Sequence, residues 1–188
     1  MHLLTARKLA VFRGDRLILS GVSFLLRPGD ILLLRGANGT GKTSLLRALA
    51  GLTPLAGGDL LWNGQAALAE PTLHASRIGW LGHQNAVKPA LTPAQQVPRH
   101  ALALMELNAL ADIPSRLLSA GQKRRLAIAR VAASLKPLWL LDEPTTGLDT
   151  TAIASFLTLC QIQRERGGII IASTHTDLAL PGAKTFTL

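Results

Sequence analysis

The stretch "GANGTGKT", Gly36 to Thr43, spaces three glycines ahead of a lysine and a threonine, an order of residue types that suits a polyphosphate. Gly36, Gly39 and Gly41 let the backbone turn its N–H groups inward, Lys42 sets a cation against the terminal phosphates, and the Thr43 hydroxyl can ligate Mg²⁺. A second run, "LWLLDEP", ends on the adjacent carboxylates Asp142 and Glu143. Neighbouring side chains of an extended segment point opposite ways. Asp142 can therefore hold Mg²⁺ through water while Glu143 faces an attacking water as a general base, a role worth about 10²–10⁴-fold in rate. Gln84 closes "IGWLGHQ" and could sense the metal or that water, and His175 closes "IIIASTH" and could reach a γ-phosphate. Taken singly, each of these fits an ordinary polar residue at a strand end. Their joint weight comes from sharing a sheet edge with the phosphate loop.

"LSAGQKRRLAIAR" raises a separate question, because Ser119, Ala120 and Gly121 open a helix whose Leu126, Ala129 and Ala133 fall on one apolar face. Its N-terminus is a second ready anion site. One phosphate loop cannot occupy both, so the economical expectation is that the sites meet on one nucleotide across an interface. Ser119 of one copy would then touch the γ-phosphate held by Lys42 of another.

The elements that must position these residues also read from the pattern. The first sixty or so residues alternate β-like runs, "RLILSGVSFLLRPGD" and "GGDLLWNG", with turn signals, and predict a small, mostly antiparallel sheet. Four short apolar runs, "DILLLRG", "RIGWLGHQ", "PLWLLDEP" and "GGIIIASTH", read as buried strands of a parallel sheet. In such sheets ligands bind at the carboxyl ends of the strands. "SLLRALAGL" predicts a helix directly after the phosphate loop, adding the partial positive charge of its N-terminus. The spacing through "RHALALMELNALA" predicts a helix within a small lobe inserted at about 85–135.

At 188 residues, 48% of them hydrophobic, the chain suits one well-cored domain, 1–188. No stretch approaches the roughly 18–20 apolar residues of a membrane span, and Arg7, Lys8 and Arg13 interrupt the apolar start, so a cytoplasmic protein is expected. Lysine and arginine number 20 against 11 acidic residues, a balance that attracts polyanions. The only basic run, Lys123 to Arg125, reads as a solvated helix face. Cys160 is the sole cysteine, which excludes an internal disulfide and suggests a core or helix-face residue. Trp62, Trp80 and Trp139 fall in strand-like runs and read as core. His2, His74, His83 and His100 form no recognisable ligand set.

In this order the motifs resemble those of the ATP-binding cassette (ABC) ATPases, and the resemblance runs over almost the whole chain: "GANGTGKT" as Walker A, Gln84 as Q-loop, "LSAGQ" as signature, "LLDE" as Walker B, Asp149 in "GLD" as D-loop and His175 as switch histidine. It implies an α/β P-loop NTPase fold, the ABC nucleotide-binding domain, with a mostly parallel core sheet, an N-terminal antiparallel β subdomain and a shortened helical subdomain. It further implies ATP and Mg²⁺ as cofactors. The nucleotide would lie on Phe12, at the position that stacks on adenine, and along Gly36, Ala37, Asn38, Gly39, Thr40, Gly41, Lys42, Thr43 and Ser44. Ser119, Ala120, Gly121, Gln122 and Asp149 would contact it as well. Glu143, His175 and Gln84 are the implied catalytic residues, and Thr43, Gln84 and Asp142 the implied Mg²⁺ ligands.

A narrower resemblance, carried by "LSAGQ", "GANGTGKTSLLRALAGL", "WLGHQNAVKPALT" and the short tail after "THTDL", is to the ATP-binding subunits of cytochrome c maturation systems. It implies a homodimer with the membrane-spanning export subunits of that system, peripheral on the cytoplasmic face of the bacterial inner membrane. ATP-driven closure of the dimer would power haem export or release of the haem chaperone complex, with haem itself handled by partners. The interval from Gln84 to Ser119 is shorter than such lobes usually are, which bears on how the membrane subunit docks. An ATPase for lipid or drug export is the alternative. A nucleic-acid-associated ABC protein would need long coiled coils or two cassettes, which are absent, so no direct nucleic-acid partner is expected. A P-loop kinase leaves "LSAGQ" and His175 without a role.

Overall fold

The computed structural model describes residues 2–175 and 178–188; Thr176 and Asp177, part of "THTDL", lie outside the described residues. Strands β1 (Leu4–Arg13) and β2 (Arg16–Leu26) form an antiparallel hairpin, and β4 (Gly57–Trp62) and β5 (Gln65–Ala66) extend it to a four-stranded sheet in the order β2-β1-β4-β5. Alternation drives the hairpin's packing. Leu4, Ala6, Leu9 and Val11 turn inward on β1 while Arg7 and Lys8 between them stay out.

The second sheet is parallel at every described pairing. It orders β6 (Ile78–Leu81), β7 (Leu138–Asp142), β8 (Ile169–Ser173), β3 (Ile31–Arg35) and β9 (Lys184–Thr187). Strands β3, β7 and β8 are near-continuous apolar runs, and both faces of the sheet are covered. On one face lie Leu32, Leu34, Leu140 and Ile171 against α1 (Lys42–Leu49) and the antiparallel sheet. On the other, Leu33, Leu141 and Ile170 meet α5 (Ala120–Ala133) and α6 (Thr150–Glu165). Trp62 and Trp139 are core, whereas Trp80 on the edge strand β6 is only half-buried.

Between β6 and β7 come α3 (Pro93–Gln96), α4 (Arg99–Ala103) and α5. The helix expected through "RHALALMELNALA" stops early. The chain reverses at Glu106, whose φ is 55°, with Glu106 N–H bonded to Ala103 O and Leu107 N–H to Leu102 O, the closure of a Schellman turn. Reversal lets Met105 and Leu107 both reach full burial, and that packing overrides the helical propensity of the run. On α5 the buried set is wider than the predicted stripe: Ala127, Ile128 and Val131 join Leu126 and Ala129, and Ala133 is only half-buried.

Lys123 to Arg125 do not form the solvated basic face expected of them. Arg124 is 4% exposed. It shares the i, i+3, i+4, i+7 stripe with Ala127, Ile128 and Val131, so its side chain is carried inward with them.

His74, on α2 (Pro71–Ser76), is 1% exposed and donates from Nε2 to Leu49 O at 2.8 Å. Burial, against a weaker pull upward from that bond, lowers its pKa below the ordinary 6.5, and nearby Arg77 adds to the lowering. The unfolded chain therefore binds a proton on acidification before the folded one does, so His74 contributes stability above about pH 6.5 that falls away as pH drops below that value. Urea denaturation between pH 7.5 and 5 should show falling stability on acidification, with a shallower slope in His74→Gln; equal slopes would remove His74 as the cause.

Candidate functional site

The phosphate loop leaves β3 with left-handed φ values of 145° at Gly36, 84° at Gly39 and 105° at Gly41. At Gly41 the backbone favours glycine, and a Cβ there would also press on the Leu19 side chain at 3.0 Å. α1 follows at once, with no acidic side chain in its first turn, and its N-terminal partial charge stands uncompensated toward the loop. Lys42, 7% exposed, donates from Nζ to Gly36 O at 2.7 Å and Ala37 O at 3.0 Å. The ammonium is thus held under the loop's own backbone.

Three hydroxyl and carboxyl groups from distant segments meet beside it. Asp142, 2% exposed at the end of β7, accepts from Thr43 Oγ1 at 2.9 Å (Oδ2) and 3.1 Å (Oδ1), and from Ser173 Oγ at 2.7 Å. Ser173 closes β8 and in turn accepts the N–H of Glu143 at 2.9 Å. Glu143 carries a φ of 49°, a left-handed conformation that costs a non-glycine residue about 1–3 kcal/mol and collects at functional sites. From this turn its Oε1 meets His175 Nε2 at 2.8 Å. The Thr43 hydroxyl and Asp142 carboxylate are hard oxygen donors to the same small volume. That set suits Mg²⁺, which takes one or two protein oxygens and completes its shell with phosphates and water.

A cavity of about 470 Å³ is lined by Arg13, Asn38, Gly39, Gly41, Lys42, Thr43, Ser44, His83, Asp142, Glu143 and His175 among others. Phe12, 46% exposed, lines an adjoining cavity with Thr43, Ser44 and Arg47. These two cavities thus gather Phe12, most of the loop from Asn38 to Ser44, Asp142, Glu143 and His175, whereas Gly36, Ala37, Thr40 and Gln84 are not among their lining. Gln84 opens onto two neighbouring cavities on the side of α5 and the 85–89 loop, whereas its neighbour His83 lines both the second of these and the phosphate-loop cavity.

The second anion site expected at Ser119 stands apart from this cavity. Ser119 Oγ accepts the N–H of Gln122 at 3.2 Å while Gln122 Oε1 accepts the N–H of Ser119 at 2.8 Å, a reciprocal capping box at the start of α5. This box does not use the amides of Ala120 and Gly121. Asp149 caps α6 through Ala152 N–H at 2.8 Å. A Cβ on Gly121 would lie 2.9 Å from Gly147 O, so glycine lets the two turns touch. Ser119, Gly121, Gln122, Asp149 and Gly147 line a cavity of about 270 Å³ that shares no lining residue with the phosphate-loop cavity.

Sequence reading missed Ser173, His83 and Arg124. Arg124 donates five hydrogen bonds to Gly82 O, Asn85 Oδ1, Asp142 O, Glu143 O and Pro144 O. Burial pulls its pKa below the ordinary arginine value, partly opposed by the charges of Asp142 and Glu143. Its signal was legible as an arginine within the apolar stripe of α5.

The chain matches the family model described as "ABC transporter" over residues 19–146. It is similar to proteins named "Cytochrome c biogenesis ATP-binding export protein CcmA". The one from Rhodospirillum rubrum is 47% identical, with 94% of this chain and 81% of that protein covered. The one from Paramagnetospirillum magneticum is 44% identical over 98% of this chain and 93% of that protein. Among solved structures, a part of an ABC transporter complex from Clostridium perfringens superposes with a TM-score of 0.81 at 26% identity, covering 98% of this chain and 83% of that one. A dimeric ATP-binding cassette bound to ADP and Pi has the same fold, with a TM-score of 0.82 at 22% identity over 92% and 88% of the two chains.

Ser173→Ala removes the hydroxyl that serves both Asp142 and the strained Glu143 turn. It should lower the unfolding free energy by about 1–3 kcal/mol, read by thermal melting at about 2–4 °C per kcal/mol for a chain of this size. An unchanged melting temperature would show that water replaces the hydroxyl without loss.

Proposed function

The chain belongs to the ABC transporter family, and from that premise we propose that it is the ATP-hydrolysing subunit of a membrane export complex serving cytochrome c maturation. The observation that carries the nucleotide chemistry is the convergence of Lys42, Thr43, Asp142, Glu143 and His175 on one cavity. The identity to the relatives named above, spread over nearly the whole chain, supports the biological assignment.

In this reading Phe12 offers its face to adenine, and the amides from Ala37 to Ser44 cradle the phosphates. Lys42 exchanges its two backbone carbonyls for β- and γ-phosphate oxygens, each charge-assisted contact contributing about 1.5–3 kcal/mol. Thr43 and Asp142 are the residues that would hold Mg²⁺, which when bound neutralises charge on the same phosphates. Glu143 takes the proton of the attacking water, and His175, already bonded to its Oε1, fixes the carboxylate and presents its ring toward the γ-phosphate. Gln84 reaches this site by movement of the 82–86 loop, which ties the chemistry to whatever presses on that loop.

Ser119, Gly121, Gln122 and Asp149 line a cavity of their own, with Ala120 between the first two on the chain. A second copy supplies them to the nucleotide, so that two ATP molecules close a two-fold symmetric pair and hydrolysis opens it. Residues 1–188 act as one ATPase domain, with about 85–135 as the helical lobe that meets the membrane-spanning export subunits. No helix among the described residues is long and apolar enough to cross a membrane. The reading places the protein peripherally on the cytoplasmic face of the inner membrane, where it powers haem export or release of the haem chaperone complex and leaves contact with haem to its partners.

The test is covalent haem in membrane c-type cytochromes, by peroxidase staining, in cells lacking the gene. Wild type should restore the stained bands and Lys42→Ala should not. Normal staining in the deletion strain, with no second copy present, would overturn the cytochrome assignment.

A further inference from the structure

Arg124 is costly to bury and has no carboxylate partner among its five hydrogen bonds. Its Nε donates to Pro144 O at 3.2 Å, Nη1 to Gly82 O at 2.8 Å and Asn85 Oδ1 at 3.0 Å, and Nη2 to Asp142 O and Glu143 O, both at 2.6 Å. All five guanidinium N–H groups are thereby matched to neutral oxygens. Those oxygens belong to two segments far apart in sequence, the 82–85 loop after β6 and the 142–144 turn after β7. The arginine itself rides on α5, the helix that Ser119 caps. One planar group therefore bonds three parts of the site to one another.

The turn it grips is the strained one. Glu143 is held in its left-handed conformation from both ends of its own peptide units: Ser173 Oγ accepts its N–H at 2.9 Å and Arg124 donates to its carbonyl. Released from either, the backbone gains by relaxing toward φ below zero, and the carboxylate leaves the position in which it meets His175. A second arginine of α5, Arg130, holds the same loop further along, from Nη1 to Ala86 O at 2.6 Å. The loop carrying His83 and Gln84 is thus fastened to α5 at two points, and only Arg124 continues to the carboxylate turn.

We propose that Arg124 is a positioning residue that sets the Glu143 carboxylate and links its turn to the 82–85 loop and to the Ser119 helix. It acts on hydrolysis without touching the nucleotide. The inference rests on the reading of Glu143 as the base. A lysine cannot take over, since three donors on one nitrogen do not span acceptors on two segments as a planar fork does.

The experiment measures steady-state ATP hydrolysis by the assembled complex for wild type, Arg124→Lys, Arg124→Gln and Glu143→Gln, with nucleotide affinity and melting temperature taken on the same preparations. Arg124→Lys should lose about 10- to 100-fold in kcat, the scale of a misplaced catalytic group, with KM for ATP and nucleotide affinity within about threefold of wild type. The same split in Arg124→Gln, should that variant fold, would separate charge from geometry. Arg124→Lys with wild-type kcat overturns the proposal, as does a loss of kcat matched by an equal loss of nucleotide affinity, which marks a purely structural residue. Wild-type hydrolysis in Glu143→Gln would instead overturn the underlying reading of the site.

Discussion

A carboxylate buried to 2% exposure at the end of β7 is the constraint on which the site depends. Taking an ion out of water costs several kcal/mol unless hydrogen bonds replace the lost solvation. Asp142 obtains them from Thr43 at the start of α1 and from Ser173 at the end of β8, and the Arg124 cation stands close enough for the two charges to feel each other. Residues 43, 142 and 173 can meet only if β7, β8 and β3 lie side by side with their carboxyl ends level. The order β6-β7-β8-β3-β9 provides that alignment. The apolar runs of these strands bury the sheet, and the buried sheet in turn makes the carboxylate's partners obligatory.

The same edge explains why the strain is concentrated at Glu143. Asp142 ends a strand register that pairs it with Ser173, and the next residue must turn its carboxylate out of the sheet toward the cavity. A left-handed φ does this in one step. Its cost is met by two fixed hydrogen bonds, from Glu143 N–H to Ser173 and from Arg124 to the Glu143 carbonyl. Local geometry that would be unfavourable in isolation is thus stabilised by tertiary contacts to a neighbouring strand and to a helix that comes between β6 and β7.

Much of this was legible in the sequence because it is local or periodic. The glycine spacing of 36–43, the four strand endings and the helix after "LSAGQ" depend on a few adjacent residues or on a repeat of 2 or 3.6. What escaped depends on packing across the chain. The run at 99–111 has helical spacing, yet the burial of Met105 and Leu107 ends α4 at Ala103. Arg124 looked like part of a solvated basic face, although its place in the stripe with Ala127, Ile128 and Val131 was visible. The exchange of His83 for Gln84 at the phosphate cavity is set by how α5 holds the loop through Arg124 and Arg130, and no local pattern encodes it.

Within one copy the phosphate loop and the Ser119 turn line separate cavities, so the proposed site requires them to meet between copies. Cys160 is fully buried and its thiol is pushed up to about 12, which keeps the native cysteine inert to mild oxidation and makes cross-linking informative. The most direct measurement introduces Asn38→Cys and Ser119→Cys into the Glu143→Gln chain and follows disulfide-linked dimer on a non-reducing gel. Covalent dimer should form with Mg-ATP and be scarce without nucleotide. Absence of that dimer, or its formation to the same extent with and without ATP, would contradict the claim that one copy completes the other's site.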